Sequence, residues 1–159
     1  MARSKNTLVT DLLDIADQLA AQKGRPSLRK AAMRRAVSSA YYAVFHELCY
    51  ICADQLGVWT KANDLREPVY RLLDHGIARS RLIGKEAAAI SSDILQIGTL
   101  FRDLQEARHS ADYKSSAMTV SRDWALSQIA EARRIVELIE ALTPDDRLKL
   151  AILLVTKTR

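Results

Sequence analysis

Along most of this chain apolar residues recur at intervals of three and four, the period of an amphipathic helix. Leu8, Leu12, Ile15 and Leu19 keep that spacing from about Asn6 to Gln22, and Gly24-Arg25-Pro26 ends the segment. Ser27 is placed to cap a long second helix running to about Leu56, with Gly57 as its terminator. A loop through Trp59 and Asn63 leads into a shorter helix over about Leu65 to Leu73, with Pro68 in its first turn and a stop near His75-Gly76. Gly84 separates a brief helical stretch from a long helix, roughly Lys85 to Tyr113. After a break at Lys114-Ser115-Ser116, Thr119 or Ser121 opens a helix ending near Leu142, striped by Ala130, Ile135, Leu138, Ile139 and Leu142. Thr143-Pro144-Asp145-Asp146 is a strong helix start: a hydroxyl cap, proline at the first position, then acids at the positive end of the dipole. A short apolar helix, Arg147 to Val155, closes the chain. Its run Ala151-Ile152-Leu153-Leu154-Val155 is expected to cover a groove or a dimer seam, since an exposed run of that kind invites aggregation. The pattern predicts an all-α bundle of about five to six helices in one domain, residues 1–159, without repeats or low-complexity segments.

Composition narrows the classes. The chain's 159 residues suit one domain, and 48% hydrophobic with 27% charged residues rules out a wholly disordered chain. Only 5 Gly and 3 Pro argue against a turn-dense all-β or linker-rich protein. A net charge of +5 permits nucleic-acid binding without requiring it. Cys49 and Cys52 have the C-x-x-C spacing of redox and zinc sites, but they stand inside a helical stretch with no second ligand pair and no βαβ pattern, so buried thiols are expected. No metal site or cofactor is expected. With no secretory signal and no apolar run near membrane-spanning length, the expectation is a cytoplasmic protein with no membrane partner.

Two segments hold candidate chemistry. In Phe101 to Tyr113 an advance of about 100° per residue brings Arg102, His109 and Tyr113 within roughly 40° of one another. Leu100, Leu104, Ala107 and Ala111 gather on the opposite side, facing a core. A guanidinium beside an imidazole suits phosphodiester chemistry without a metal: arginine neutralises phosphate charge and histidine moves a proton near neutral pH. From spacing alone a solvated helix face is the commoner reading of such a stripe. In Arg34 to His46, the small residues Ala36, Ser39, Ala40 and Ala43 permit close helix approach, and Tyr42 and Phe45 read as core aromatics. His46 reads as a packing histidine, while Arg34 and Arg35 either line a phosphate- or RNA-binding site or are simply solvated.

The run Arg35-Ala36-x-x-Ser39-Ala40-Tyr41-Tyr42-Ala43-x-Phe45-His46, followed by Arg108-x-x-Ala111-Asp112-Tyr113, resembles the HEPN superfamily, closest to its small stand-alone prokaryotic branch, from about residue 7 to about residue 142. His75-Gly76 falls where that branch often has a short helix-end segment. The resemblance implies an antiparallel up-and-down helical bundle, a homodimer, and a metal-independent endoribonuclease with a composite site at the dimer interface. It also implies a toxin–antitoxin or phage-defence setting, with a nucleotidyltransferase-like or other small antitoxin as partner. In active members an Arg precedes a His by four to six intervening residues. Arg102, followed by Asp103, and His109 satisfy that formula, whereas the signature's own arginine is Arg108, with Tyr113 five residues on where catalytic relatives have His. A tyrosine phenol is a poor general base at neutral pH. Both alignments stand, giving Arg102, Arg108, His109, Asp112 and Tyr113 as catalytic candidates. Relatives lacking the His imply the other function, a catalytically inactive nucleotide- or protein-binding module.

Overall fold

A computed structural model describes residues 6–156, and among them the regular structure is entirely helical. Eight helices follow one another: α1 (Thr7–Ala20), α2 (Pro26–Gln55), α3 (Asn63–Tyr70), α4 (His75–Leu82), α5 (Lys85–Ile90), α6 (Ser92–Tyr113), α7 (Arg122–Ala141) and α8 (Pro144–Val155). Two compact units result. The first contains the described residues of Met1–Val44 with Asp103–Arg134, and the second contains Phe45–Arg102 with the described residues of Ile135–Arg159. No helix among the described residues is long and apolar enough to cross a membrane.

Eight helices rather than five to six reflect breaks that periodicity alone does not reveal. The helix expected over Lys85 to Tyr113 is interrupted at Ser91, which is fully extended (φ −163°, ψ 160°). The Ser91 hydroxyl accepts from Ile94 N at 3.2 Å, so the same residue caps α6. The expected stop at His75-Gly76 is instead a start. Asp74 Oδ1 accepts from Gly76 N at 2.8 Å and from Ile77 N at 3.1 Å, opening α4. Pro26, not Ser27, opens α2, because its missing N–H costs nothing at a helix start. Pro68 lies inside α3 rather than in its first turn. Three other boundaries follow the sequence reading. Gly57, at φ 69°, ends α2 with bonds from its own N to Asp54 O and from Val58 N to Ala53 O. Ser121 Oγ accepts from Trp124 N at 3.0 Å and opens α7. Thr143 Oγ1 accepts from Asp146 N at 3.1 Å ahead of Pro144 and opens α8.

In the first unit, Ala36, Val37, Ala40, Tyr41, Ala43 and Val44 of α2 are fully buried. The alanines among them let α6 approach: Val37, Ala111 and Ala125 pack together, with Met33, Ala107 and Trp124 against them. Helix α1 buries Val9, Leu13, Ala16 and Ala20, one position along from the stripe its sequence displays, and leaves Leu8 and Ile15 41% and 45% exposed. In the second unit α8 packs on α4 and α5, burying Leu150, Ala151 and Leu154 while Ile152 faces outward. The Arg81 guanidinium donates to Leu153 O at 2.6 Å, at the negative end of α8. Gly98 passes so close to the end of α4 that a Cβ there would stand 2.0 Å from Leu82 O.

Candidate functional site

The last two turns of α6 and the first half of α2 hold the candidate residues of the first unit. On α6, Gln105, Arg108 and Asp112 follow helical spacing and share a face; on α2, Ser38, Tyr41 and Tyr42 oppose them. Arg108 stands at the centre. Its Nη2 donates to Tyr42 Oη at 2.8 Å, and its Nε lies 3.0 Å from Asp112 Oδ2. Its guanidinium carbon is 5.4 Å from the ring centres of Tyr41 and Tyr42 and 5.7 Å from that of Tyr113, an aromatic surround that favours a cation. Burial works against the charge, but the hydrogen bond to Tyr42 and the neighbouring groups of Tyr42, Asp112 and Tyr113 outweigh it, so the Arg108 pKa lies above its ordinary value. Tyr41 itself is fully buried, and its hydroxyl accepts from Gln105 Nε2 at 3.2 Å.

Asp112 organises the other side. Beside Arg108 it accepts from Ser38 Oγ at 3.2 Å, and its second oxygen lies 3.7 Å from Arg35 Nη1. The Asp112 side chain is only 15% exposed, while that of Arg35 is 67% exposed. Arg35 is therefore loosely held and open to solvent, whereas Arg108 is fixed. Around these groups lies a cleft of about 550 Å³, whose lining carries three guanidiniums, those of Arg34, Arg35 and Arg108, against the one carboxylate of Asp112. Tyr42 and Tyr113 complete its polar wall. The balance favours an anion.

Arg34 has a second engagement. Its Nε donates to Ala111 O at 2.6 Å, Nη1 to Ser115 O at 3.3 Å and Nη2 to Lys114 O. It thus closes the carboxyl end of α6, satisfying carbonyls a helix leaves open and placing a cation at the negative end of its dipole. Lys30 Nζ donates to Ser116 O, just beyond that end. These bonds fix the end of α6, where Asp112 and Tyr113 stand.

His109 and Arg102 are placed differently. Neither lines the cleft. His109 is exposed, its ring 4.9 Å from that of Tyr113, so Tyr113 connects the imidazole to the lip of the cleft. Tyr113 is itself 67% exposed. Arg102 is half-buried on α6 in the stretch belonging to the second unit. The helix-face reading holds for part of its apolar side: Leu104 and Ala111 are buried, while Leu100 and Ala107 are half-buried. Ser38, Gln105 and the Arg108-facing roles of Tyr41 and Tyr42 were not singled out by sequence reasoning, and the signal was the opposing i, i+3, i+4 spacing of polar residues on two small-residue helix faces.

Among the described residues no three His, Cys, Asp or Glu side chains gather in a metal-binding arrangement. Cys49 and Cys52 are free and buried, and burial pushes both thiols up to about 12, with the nearby Cys52 adding to the shift at Cys49. Such thiols are poor nucleophiles near neutral pH. Comparison of the chain with family models, with curated proteins and with solved structures gives no match.

Proposed function

We propose that this chain is a HEPN-type helical module that binds RNA through a backbone phosphate seated in the Arg108 cleft. One observation carries the reading: a fixed, aromatic-surrounded guanidinium, Arg108, stands beside a loosely held and exposed one, Arg35, in a cleft with a single carboxylate. Arg108 and Arg35 would take the phosphate oxygens, and the exposed Tyr113 ring would stack a neighbouring base. Asp112 orients both arginines rather than meeting the ligand. The antiparallel bundle, the homodimer and a small antitoxin, nucleotidyltransferase-like or other, in a toxin–antitoxin or phage-defence operon belong to this proposal through the resemblance of the two signature runs.

A second reading, metal-independent endoribonuclease, is favoured by the ring contact between Tyr113 and His109, which puts the imidazole next to the lip of the cleft. Attack of the ribose 2′-hydroxyl on the adjacent phosphate, expelling the 5′-oxygen of the next nucleotide and leaving a 2′,3′-cyclic phosphate, would then be assisted by Arg108 or Arg102 on the charged phosphorane and by His109, which takes the 2′-hydroxyl proton or gives one to the leaving oxygen. One His in each chain's site supplies half of an acid–base pair, so a second copy would contribute the other half.

Both readings are tested with one labelled single-stranded RNA in EDTA, scored for binding by anisotropy and for cleavage on a gel. Arg35→Ala is expected to weaken binding roughly three- to tenfold. Arg108→Lys, which keeps the charge but loses the fork, is expected to weaken it as well. Unchanged affinity in both variants rejects the cleft as the RNA site. Cleavage that survives the chelator and disappears in His109→Ala selects the nuclease, with Arg102→Ala and Arg108→Ala deciding which arginine serves it. Binding without cleavage selects the binding module.

A further inference from the structure

The turn between α1 and α2 and the start of α7 enclose a second cavity, of about 520 Å³, which shares no residue with the Arg108 cleft. Four cations line it: Lys23 from the turn, Arg29 and Lys30 from α2, and Arg122 from α7. Lys30 is tied to Ser116 O. Among the described residues no ion pair or side-chain hydrogen bond ties down Lys23, Arg29 or Arg122, and all three are exposed. Asp123 follows Arg122 in the first turn of α7, exposed and outside the lining, and offsets part of the charge there. The first turn of α2 holds no such acid. Met33 and Val120, both half-buried, give the cavity an apolar patch.

The lining selects among anions. Like charges around a concave wall focus a positive potential within it. Untied cations from three separate elements, with one neighbouring acid, call for more than one negative charge on the ligand, and for charges set apart. Guanidiniums meet a carboxylate through a planar two-bonded fork, and a lysine adds a point charge. The apolar patch calls for a hydrocarbon body between those charges. A nucleotide suits the wall poorly. Its ribose and base need acceptors for their hydroxyl and amino groups and a ring on which to stack. Among the described residues the lining has no hydroxyl, no carboxylate and no aromatic ring, and its one side-chain amide, that of Gln22, donates to Lys23 O at 2.9 Å. The volume falls within the range of small-molecule sites and exceeds what an inorganic anion fills.

We infer that this cavity binds a dicarboxylic acid with a hydrocarbon chain, its carboxylates held by Arg29 and Arg122 with Lys23 beside them, and its chain laid against Met33 and Val120. The site is independent of the RNA reading, because the variants that test the cleft touch none of its residues. Calorimetric titration of the full chain with octanedioate, succinate, octanediol and ADP tests it. Octanedioate is expected to bind saturably. Succinate keeps both charges but loses most of the chain, octanediol keeps the chain but loses both charges, and ADP brings a base and ribose that the wall cannot pair. Each of the three is expected to bind at least tenfold more weakly. Arg29→Ala/Arg122→Ala is expected to lose tenfold or more of the octanedioate affinity. Lys85→Ala/Arg134→Ala, which removes the same charge from exposed positions elsewhere, is expected to keep it, with thermal melts showing that both variants fold. No saturable binding of octanedioate, binding of any of the other three probes as tightly as octanedioate, or the same loss in both double variants overturns the proposal. Undiminished binding in Arg29→Ala/Arg122→Ala does so too, by placing the acid elsewhere.

Discussion

At the scale of single residues, Asp112 and Arg35 have opposite consequences although they touch. Asp112 is mostly buried and accepts from Ser38 while facing two guanidiniums, one of them the mostly buried Arg108. Removing its carboxylate leaves Arg108 with a desolvated charge and one partner fewer, so Asp112→Ala is expected to destabilise the fold by about 1–3 kcal/mol. Arg35 is exposed, and Arg35→Ala is expected to stay within about 0.5 kcal/mol of the parent. Urea denaturation of both variants checks the contrast; an equal loss would mean that Arg35 is structural. A second residue-scale effect belongs to His46 on α2 in the second unit. Its Nδ1 is hydrogen-bonded to Tyr70 Oη at 2.7 Å, and Phe45 stacks on His75 beside it. Burial, and then the charge of His75, hold the His46 pKa below the ordinary histidine value of 6.5. The unfolded chain therefore takes up this proton first as pH falls. The stability is intact above the ordinary value, declines as pH drops below it, and the loss is complete once pH passes below the folded-state pKa. His46→Gln is expected to flatten the stability curve measured by denaturant titration between about pH 7.5 and pH 5.5.

At the scale of elements, the close passage of α6 over the end of α4 gives the sharpest expectation. The contact opposing Gly98 is the backbone carbonyl of Leu82, which cannot rotate away as a side chain could. Gly98→Ala should therefore destabilise by about 1–3 kcal/mol despite the better helix propensity of alanine. A melting temperature at or above that of the parent would show that the two helices separate without cost. Nothing in the sequence announces that approach, because a lone glycine inside a helical pattern has many explanations. Caps were legible where one side chain suffices: Thr143 with Pro144, Ser121, and Gly57 all act at or next to the positions their types suggest. Breaks inside continuous apolar spacing were not, so Ser91 reads as helix interior and His75-Gly76 as a stop, whereas Ser91 and Asp74 each cap the start of a helix. On α1 two adjacent stripes, Leu8-Leu12-Ile15-Leu19 and Val9-Leu13-Ala16-Ala20, both fit the helical period, and the burial of the second with its alanines follows from the neighbours of α1, which a single helix cannot specify. The cleft was legible in its arginines and in Asp112 and Tyr113. Its organisation was not, since the hydrogen-bond acceptors of Arg108 and Arg34 lie between 66 and 81 residues away along the chain.

At the scale of the whole molecule, the question is whether net charge or local geometry governs an anionic partner. A net charge of +5 attracts RNA at long range and is screened by salt. It does not by itself seat a phosphate. A defined site releases a fixed number of counterions, so the logarithm of the binding constant falls linearly with that of salt concentration, with a slope of about −0.7 for each phosphate neutralised on a single strand. The one phosphate held by Arg35 and Arg108 would give about −0.7, and Arg35→Ala, which leaves Arg108 balanced by Asp112, would reduce the slope toward zero. Diffuse attraction predicts something else. Losing one of 24 Lys and Arg side chains would barely alter the slope, and removing Lys85, far along the chain from the cleft, would alter it as much as removing Arg35. Anisotropy titrations of Arg35→Ala and Lys85→Ala across a range of salt concentrations therefore separate the two cases. Equal slopes in the two variants would assign the binding to overall charge, and a slope lost in Arg35→Ala alone would assign it to the cleft.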